Sequence, residues 1–550
     1  MSAKKIGLSM VIMLLLLTQG CKNSVESDPL QPNDIMVLSM YSEDLKLEYE
    51  SFTSPVAKKI TEQTGIKLDI QFPIEGVAEK INLMLSSGEY PDLIMIKDTS
   101  LLVEADAYID LRPLIEAYGP NIKKLYGESY SRLKFSMDDD SIYVLPTKPV
   151  NEERWQPEMG FQLQHEVVKT LGYPKLETVL DFEQAIKTYM ALNPTINGEK
   201  TIGITFVNED WRWKISLGNG AGFATGAPDD GNWYVNPETF EASYRFLRPE
   251  EKAYYKWINR IYHEGLIDPD GFVQNYEAYA AKIASGRVVG LIDPLWHYDY
   301  AEKILKANDQ ANRMYGRYPI QYDHSTISAD FRDVGYIGGY GVGISKNCKD
   351  PIAAIKFLDF MASEEGQILR HWGIENVHYF YDINGVRKFY PEEIEKQSKD
   401  PDYYMKSGIE IYVYPFPTWG IGNLDSTGSP YNPDNKESVI SNYTDIEKEV
   451  LSAYGVTMWA DLYPGPDAIE PSSWGQAWDL PIPSSSNVRE TLEVCDQIMK
   501  DGLVKLIVSP PDAFEQNWVE MMMALDAAGV HEMGRAFTEL IKQRIAFWEN

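Results

Sequence analysis

Cysteine is nearly absent from this 550-residue chain: Cys21, Cys348 and Cys495 are its only three. Three thiols do not build a disulfide-stapled fold, and the sequence leaves open whether Cys348 and Cys495 pair. Long apolar runs are lacking too. Ile6–Leu17 is the longest, short of the roughly 20 residues that span a bilayer. Basic clusters are missing: 51 Lys and Arg stand against 82 Asp and Glu, for a formal net charge of −31. Phosphate recognition depends on clustered Lys and Arg, so no nucleic-acid partner is expected. The acidity reads as solubility in an extracellular setting. The seven histidines are scattered, and neither HExxH, GxSxG nor GxxxxGK[ST] occurs. In the glycine run from Gly218 to Gly222, Phe223 stands where a dinucleotide fingerprint needs its third glycine. The expectation is therefore no metal, no cofactor and no catalytic residue.

What is present starts at the N-terminus. Lys4 and Lys5 precede the apolar Ile6–Leu17, and the run stops at Thr18-Gln19-Gly20-Cys21. A basic start and a short apolar stretch have the layout of a secretory signal. The ending resembles the bacterial lipobox, in which cleavage exposes a cysteine that carries diacylglycerol. Two features depart from that pattern: Leu17 lies four places before Cys21 instead of three, and Gln19 occupies a small-residue position. Residues 1–20 are thus expected to be a lipoprotein signal peptide, with Cys21 the lipid-attachment site. Polar, proline-containing residues 21–33 then form a flexible tether. This places the globule on the extracellular face of a cell membrane.

The remaining length exceeds what one core serves, so at least two lobes are expected. Ile35–Met40 has strand length. Ser54-Pro55 is a helix start, and Gly65 a stop. Ile66–Phe72 alternates apolar and polar residues, as a strand does. A helix over Glu75–Ser87 and the strand-like Pro91–Ile96 complete a strand–helix repeat, the pattern of a parallel sheet with crossover helices. Further on, Tyr254, Trp257, Ile258, Ile261 and Tyr262 share one helix face. Val288–Asp293 and Tyr340–Ser345 read as strands, Asp350-Pro351 opens a helix, and Asp512–Phe547 is mostly helical. The stretch from Trp419 to Pro483 is loop-rich. The fold class is α/β.

Five runs carry a family resemblance: SSGEYPDLIMI (Ser86–Ile96), DDSIYVLP (Asp139–Pro146), YYKWINRIYHEGLIDPDGF (Tyr254–Phe272), GVGISKNCKDPIAAIKFLDFMASEEGQ (Gly341–Gln367) and HWGIENVHY (His371–Tyr379). In this order they are similar to the family 1 extracellular solute-binding proteins of ABC importers, especially the large lipoprotein subgroup of Gram-positive bacteria. The resemblance implies a two-lobed, periplasmic-binding-protein-like type II fold with a ligand cleft between the lobes. By that likeness lobe 1 comprises 34–148 plus about 331–405, and lobe 2 comprises 149–330 plus about 406–550. Crossings then fall after Leu145-Pro146, near Phe331–Gly339 with the Gly338-Gly339 pair, and near residue 405. The implied partners are a carbohydrate, ABC permease subunits and the membrane through the lipid anchor, with the protein a monomer.

A sugar presents flat C–H faces and a rim of hydroxyls, so its site needs aromatic rings and charged or amide side chains. The chain has 13 Trp, 35 Tyr and 19 Phe to draw on. Trp257, Trp518 and Trp548 sit in helices and read as packing. Trp155, Trp211, Trp213, Trp296, Trp372 and Trp419 stand beside polar groups in loops or at strand ends, and are the candidate ligand contacts. Asp98, at a strand's carboxyl end, joins them, since open α/β sheets bind ligands there. Tyr336 joins them beside the expected return crossing. Arg154 and Arg212 are available if the sugar is a uronate; neutral or acidic stays open. Some relatives carry a calcium loop; the corresponding Asn193–Ile202 has one carboxylate, too few for tight calcium. The rival readings are a secreted glycoside hydrolase, which needs only two opposed carboxylates, and a surface adhesin.

Overall fold

The computed structural model describes residues 35–44, 51–73, 76–331, 338–465, 468–483 and 486–549. The expectations for Cys21, the tether and Tyr336 lie outside the described residues.

Two separate sheets anchor the fold. In the first, Met36–Ser42 pairs in parallel with Ile66–Gln71 on one side and Leu93–Met95 on the other. Parallel neighbours need crossover connections, and the helices Pro55–Thr64 and Val77–Ser87 supply them. The Ser54 hydroxyl accepts from the Ala57 N–H at 3.2 Å, and Gly65 closes the helix at φ 71°. Its inner face buries Val56, Ala57 and Ile60, each large aliphatic contributing ~1.5–3 kcal/mol. Gly341–Ile344 runs antiparallel between Leu93–Met95 and Leu145–Pro146. This strand belongs to a distant part of the sequence, so the sheet is closed by a chain that has left and returned.

The second sheet has the order Tyr315–Tyr318, Phe161–Gln164, Val288–Ile292, Ile202–Ile204. Phe161–Gln164 is antiparallel to both neighbours, and Val288–Ile292 is parallel to Ile202–Ile204. The helix Pro249–His263 buries Tyr254, Tyr255, Trp257, Ile258 and Ile261 beneath it. Three C-terminal helices, Asn487–Val508, Phe514–Ala528 and Val530–Glu549, complete this core. The ring of Phe537 stacks on Trp233 at 3.7 Å.

Each sheet has its own main core. Leu38, Leu93, Val150, Val342 and Leu358 belong to the first, and Phe161, Ile204, Ile292, Leu506 and Phe537 to the second. This is the two-lobed α/β fold the sequence implies. Ile409, Ile411, Tyr412 and Phe416, which follow the crossing expected near residue 405, pack in the first core; Val439 is the next to enter the second. Gly339 sits at φ 100°, and a Cβ there would meet the Asp479 side chain at 2.7 Å. Among the described residues the loop-rich stretch contains two α-helices, Lys436–Asn442 and Asp445–Ala453, the latter started by a Thr444/Glu447 capping box.

Cys348 is buried in the first core and Cys495 in the second; both are free. The stretch Asn193–Ile202 forms a hairpin, Thr195–Ile196 against Glu199–Lys200. Its turn residues Asn197 and Gly198 both have positive φ, 54° and 82°, the geometry an Asn-Gly pair favours. Glu199, the one carboxylate of the stretch, is exposed. Among the described residues no group of His, Cys, Asp or Glu is arranged to hold a metal, and no helix is long and apolar enough to cross a membrane.

Candidate ligand cleft

A cavity of about 1370 Å³ lies between the two lobes. Lys97 and Tyr340 face it from the first lobe, Trp211, Tyr276 and Trp296 from the second, and Trp372 from the helix Glu364–Trp372. Its volume exceeds the usual 300–1,000 Å³ of a small-molecule pocket, leaving room for an elongated ligand.

Trp211 is the centre of one wall. It lies in the short helical turn Asp210–Lys214, its ring 6.0 Å from Trp296 and 6.0 Å from His297. The Lys97 ammonium sits 3.6 Å from the Trp211 ring centroid, reaching it across the cleft. Arg212 lies between two rings, 4.9 Å from Trp211 and 4.5 Å from Tyr276. Such contacts between a cation and a ring face are attractive and fix the ring. Trp296 keeps 45 % of its surface exposed, so an apolar face remains available at the cleft.

Electrostatics differ from wall to wall. Asp44 is buried, which pushes its pKa up, but Lys97 at 2.8 Å and the donating Tyr414 hydroxyl hold it below the usual carboxylate value. Glu43 beside them is pushed up to about 7 by burial, against the pull of Lys97. Asp330, on the opposite lobe, is pushed up to about 8 by burial, with the Tyr463 hydroxyl, Arg154 and Arg317 opposing. Asp434 rises to about 6 for the same reason. Close approach matters here as well: a Cβ on Gly160 would lie 2.2 Å from an Asp330 oxygen.

The structure places the candidate residues differently. Trp211, Trp296 and Trp372 line the cavity. Trp372 shows only an edge: it is 4 % exposed, stacks on Phe389 at 4.8 Å and donates its indole N–H to Tyr431 O at 2.9 Å. Trp213 turns away into the second core and stacks on Phe246. Trp155 is half-buried with Lys436 5.9 Å from its ring, and Trp419 stacks on Tyr431 where its backbone bridges Val150. Asp98 lies outside the cavity wall: it forms an ion pair with Arg489 and accepts from the Ser100 hydroxyl at 2.6 Å. Sequence reasoning missed Lys97, Tyr276, Asp330 and Trp478. For Trp478 a signal existed, the Trp-rich stretch SSWGQAWDLP, and for Lys97 the same strand end that points to Asp98; for Tyr276 and Asp330 there was none.

Comparison with known proteins places this geometry in a wider group. Residues 56–373 match the family described as bacterial extracellular solute-binding protein. Lipoprotein LipO of Bacillus subtilis (strain 168) is 24% identical over 375 residues, covering 66% of this chain and 70% of LipO. The solved structure of alginate-binding protein AlgQ2 without calcium ion aligns at a TM-score of 0.67 and 15% identity, over 93% of this chain and 98% of that one. The substrate-binding protein FusA of Streptococcus pneumoniae, in complex with kestose, aligns at 0.65 and 17% identity, over 92% and 99%. These likenesses extend the two-lobed architecture to nearly the whole chain. The family match spans more than half of it, and the chain belongs to the bacterial extracellular solute-binding proteins.

Proposed function

We propose that this protein captures an oligosaccharide in the interlobe cleft and delivers it to the permease of an ABC importer. The observation that carries this reading is the cavity itself: about 1370 Å³, walled by both lobes, with Trp211 and Trp296 beside charged side chains. Rings cover the C–H faces of sugars, and charged groups make the stronger hydrogen bonds to hydroxyls. Relatives support it, since FusA is described as a fructooligosaccharide ABC transporter substrate-binding protein. Trp211, Trp296 and Trp372 are the proposed ligand contacts among the candidates. LipO, a lipoprotein, supports attachment through Cys21, which would hold a monomer at the outer face of the membrane beside its permease. The lobes are proposed to divide as the cores do, with the third crossing between Phe416 and Val439.

A thermal-shift screen against oligosaccharides tests the reading, because a ligand that binds the folded state raises stability by RT ln(1 + [L]/Kd). Stabilisation by at least one oligosaccharide, without release of new reducing ends, is the expected result. Release of reducing ends would indicate a hydrolase, and silence across the screen would remove the carbohydrate assignment.

A further inference from the structure

Most cations of the cleft are neutralised from within the protein; Arg154, which also lines it, faces the buried Asp330. Lys97 pairs with Asp44 at 2.8 Å, Lys303 with Asp299 at 3.3 Å and Lys388 with Asp382 at 2.8 Å. Lys214 is held by Asp496, and Arg387 by Asp425. Arg212 has no carboxylate closer than Asp210 at 3.8 Å, but it is clasped between the rings of Trp211 and Tyr276, and Asp44 lies within its electrostatic reach. Lys148 lies over the Trp478 ring at 5.4 Å, with Asp229 and Asp479 in reach.

Asp330 shows the opposite condition. It lines the cavity at 8 % exposure, and the Tyr463 hydroxyl lies beside it without a well-aligned hydrogen bond to either carboxyl oxygen. A group buried in this way carries much of its desolvation cost until further donors arrive. The groups that face it are the Tyr463 hydroxyl, the Arg154 and Arg317 guanidinium groups and Glu158. The carboxyl packs against Gly160, where any Cβ would collide with one of its oxygens. The unmet demand in the cleft is thus for hydrogen-bond donors, not for negative charge.

Resting on the carbohydrate reading above, we infer that the cleft selects an uncharged saccharide over an acidic one, and that Asp330 accepts hydrogen bonds from its hydroxyls. Hydroxyl donors favour the ionised carboxyl. Asp330 is largely protonated at neutral pH when no ligand is bound, so binding then releases a proton from it, and affinity rises with pH toward 8.

Isothermal titration of the purified protein with neutral tetrasaccharides (nystose, maltotetraose, xylotetraose) and with tetragalacturonate and tetramannuronate tests the inference. The expected result is that a neutral tetrasaccharide binds at least about 100-fold more tightly than either uronide, the scale of burying a uronide's carboxylate among cations that already hold carboxylate partners. A uronide that binds as tightly as the best neutral sugar overturns the inference and leaves the carbohydrate reading standing. Binding of neither class overturns both. Repeating the titration at pH 7.5 in buffers of different ionisation enthalpy should show net proton release. Asp330→Asn keeps the shape, and should abolish that release and weaken binding about tenfold or more. An Asp330→Asn protein that binds like wild type with unchanged proton release removes Asp330 from the site.

Discussion

Trp211 and Trp213 stand two positions apart and serve different ends. One faces the cleft between Lys97 and Trp296; the other is 8 % exposed in the second core. Trp211→Ala is therefore expected to weaken oligosaccharide binding by about ten- to a hundredfold, the scale of one lost ring contact of ~1–3 kcal/mol, with little change in thermal midpoint. Trp213→Ala should instead cost ~3–5 kcal/mol of stability. Denaturant unfolding and calorimetry on both variants check the pair, and a reversed pattern would undo the assignment. Buried carboxyls set a second residue-scale expectation. Glu43 and Glu302 are pushed up to about 7 and Asp330 to about 8 by burial. Each folded value exceeds the unfolded one, so the native state holds protons that the unfolded chain releases, and stability falls as pH rises toward 8. His165, pushed down to about 4 by burial, acts in the opposite sense only below its ordinary 6.5. The unfolding free energy without ligand should thus drop between pH 6.5 and 8, Asp330 contributing at most about 1.4 kcal/mol per pH unit and about half that as pH reaches 8. The Asp330→Asn variant should flatten the curve, and an equal slope in both proteins counts against this origin.

At the scale of elements, the first lobe is built from signals that the chain states locally. Ser54, Pro55 and Gly65 bracket a helix, and the alternation of Ile66–Phe72 becomes a strand paired residue for residue with Met36–Tyr41. Ser54→Ala removes the acceptor for the Ala57 N–H and should cost about 1 kcal/mol, read as a lower urea midpoint at unchanged slope. The second lobe states less. The capping box of Thr444 and Glu447 lies inside a stretch dense in Pro, Gly and Asp, so the Asp445–Ala453 helix is not legible from composition. The Asn487–Val508 helix is legible by contrast, since Val488, Cys495, Met499, Leu503 and Leu506 recur at helical spacing and meet the second core.

At the scale of the whole molecule, Asp98 joins the lobes. It lies at the end of a first-sheet strand, and its partner Arg489 lies on a helix whose Val488 and Cys495 sit in the second core. Ser100 adds a hydroxyl bond to Ile482 O at 3.1 Å. Lys97 over Trp211 is a second link of this kind. If such links hold the lobes together, Arg489→Ala should enlarge the ligand-free radius of gyration measured by small-angle scattering, yet leave the ligand-saturated value unchanged. Apparent affinity would fall by the fraction of molecules no longer in the binding conformation. Identical scattering curves for variant and wild type would show that the pair does not govern closure.

The sequence by itself determined the class of the fold. Its strand–helix order, its excess of length over one core and its five family-like runs are properties of neighbouring residues, and local geometry follows from neighbours. It also narrowed the cleft to a set of aromatic positions, three of which line the cavity. Only the tertiary structure decided which side of each ring is covered. Trp213 and Trp419 find Phe246 and Tyr431 as partners, and Asp98 finds Arg489, nearly 400 positions away. Asp330 carries no motif at all. Its place at the cleft follows from two lobes meeting, and its shortage of donors follows from burial, a property that belongs to the packed molecule and not to any stretch of chain.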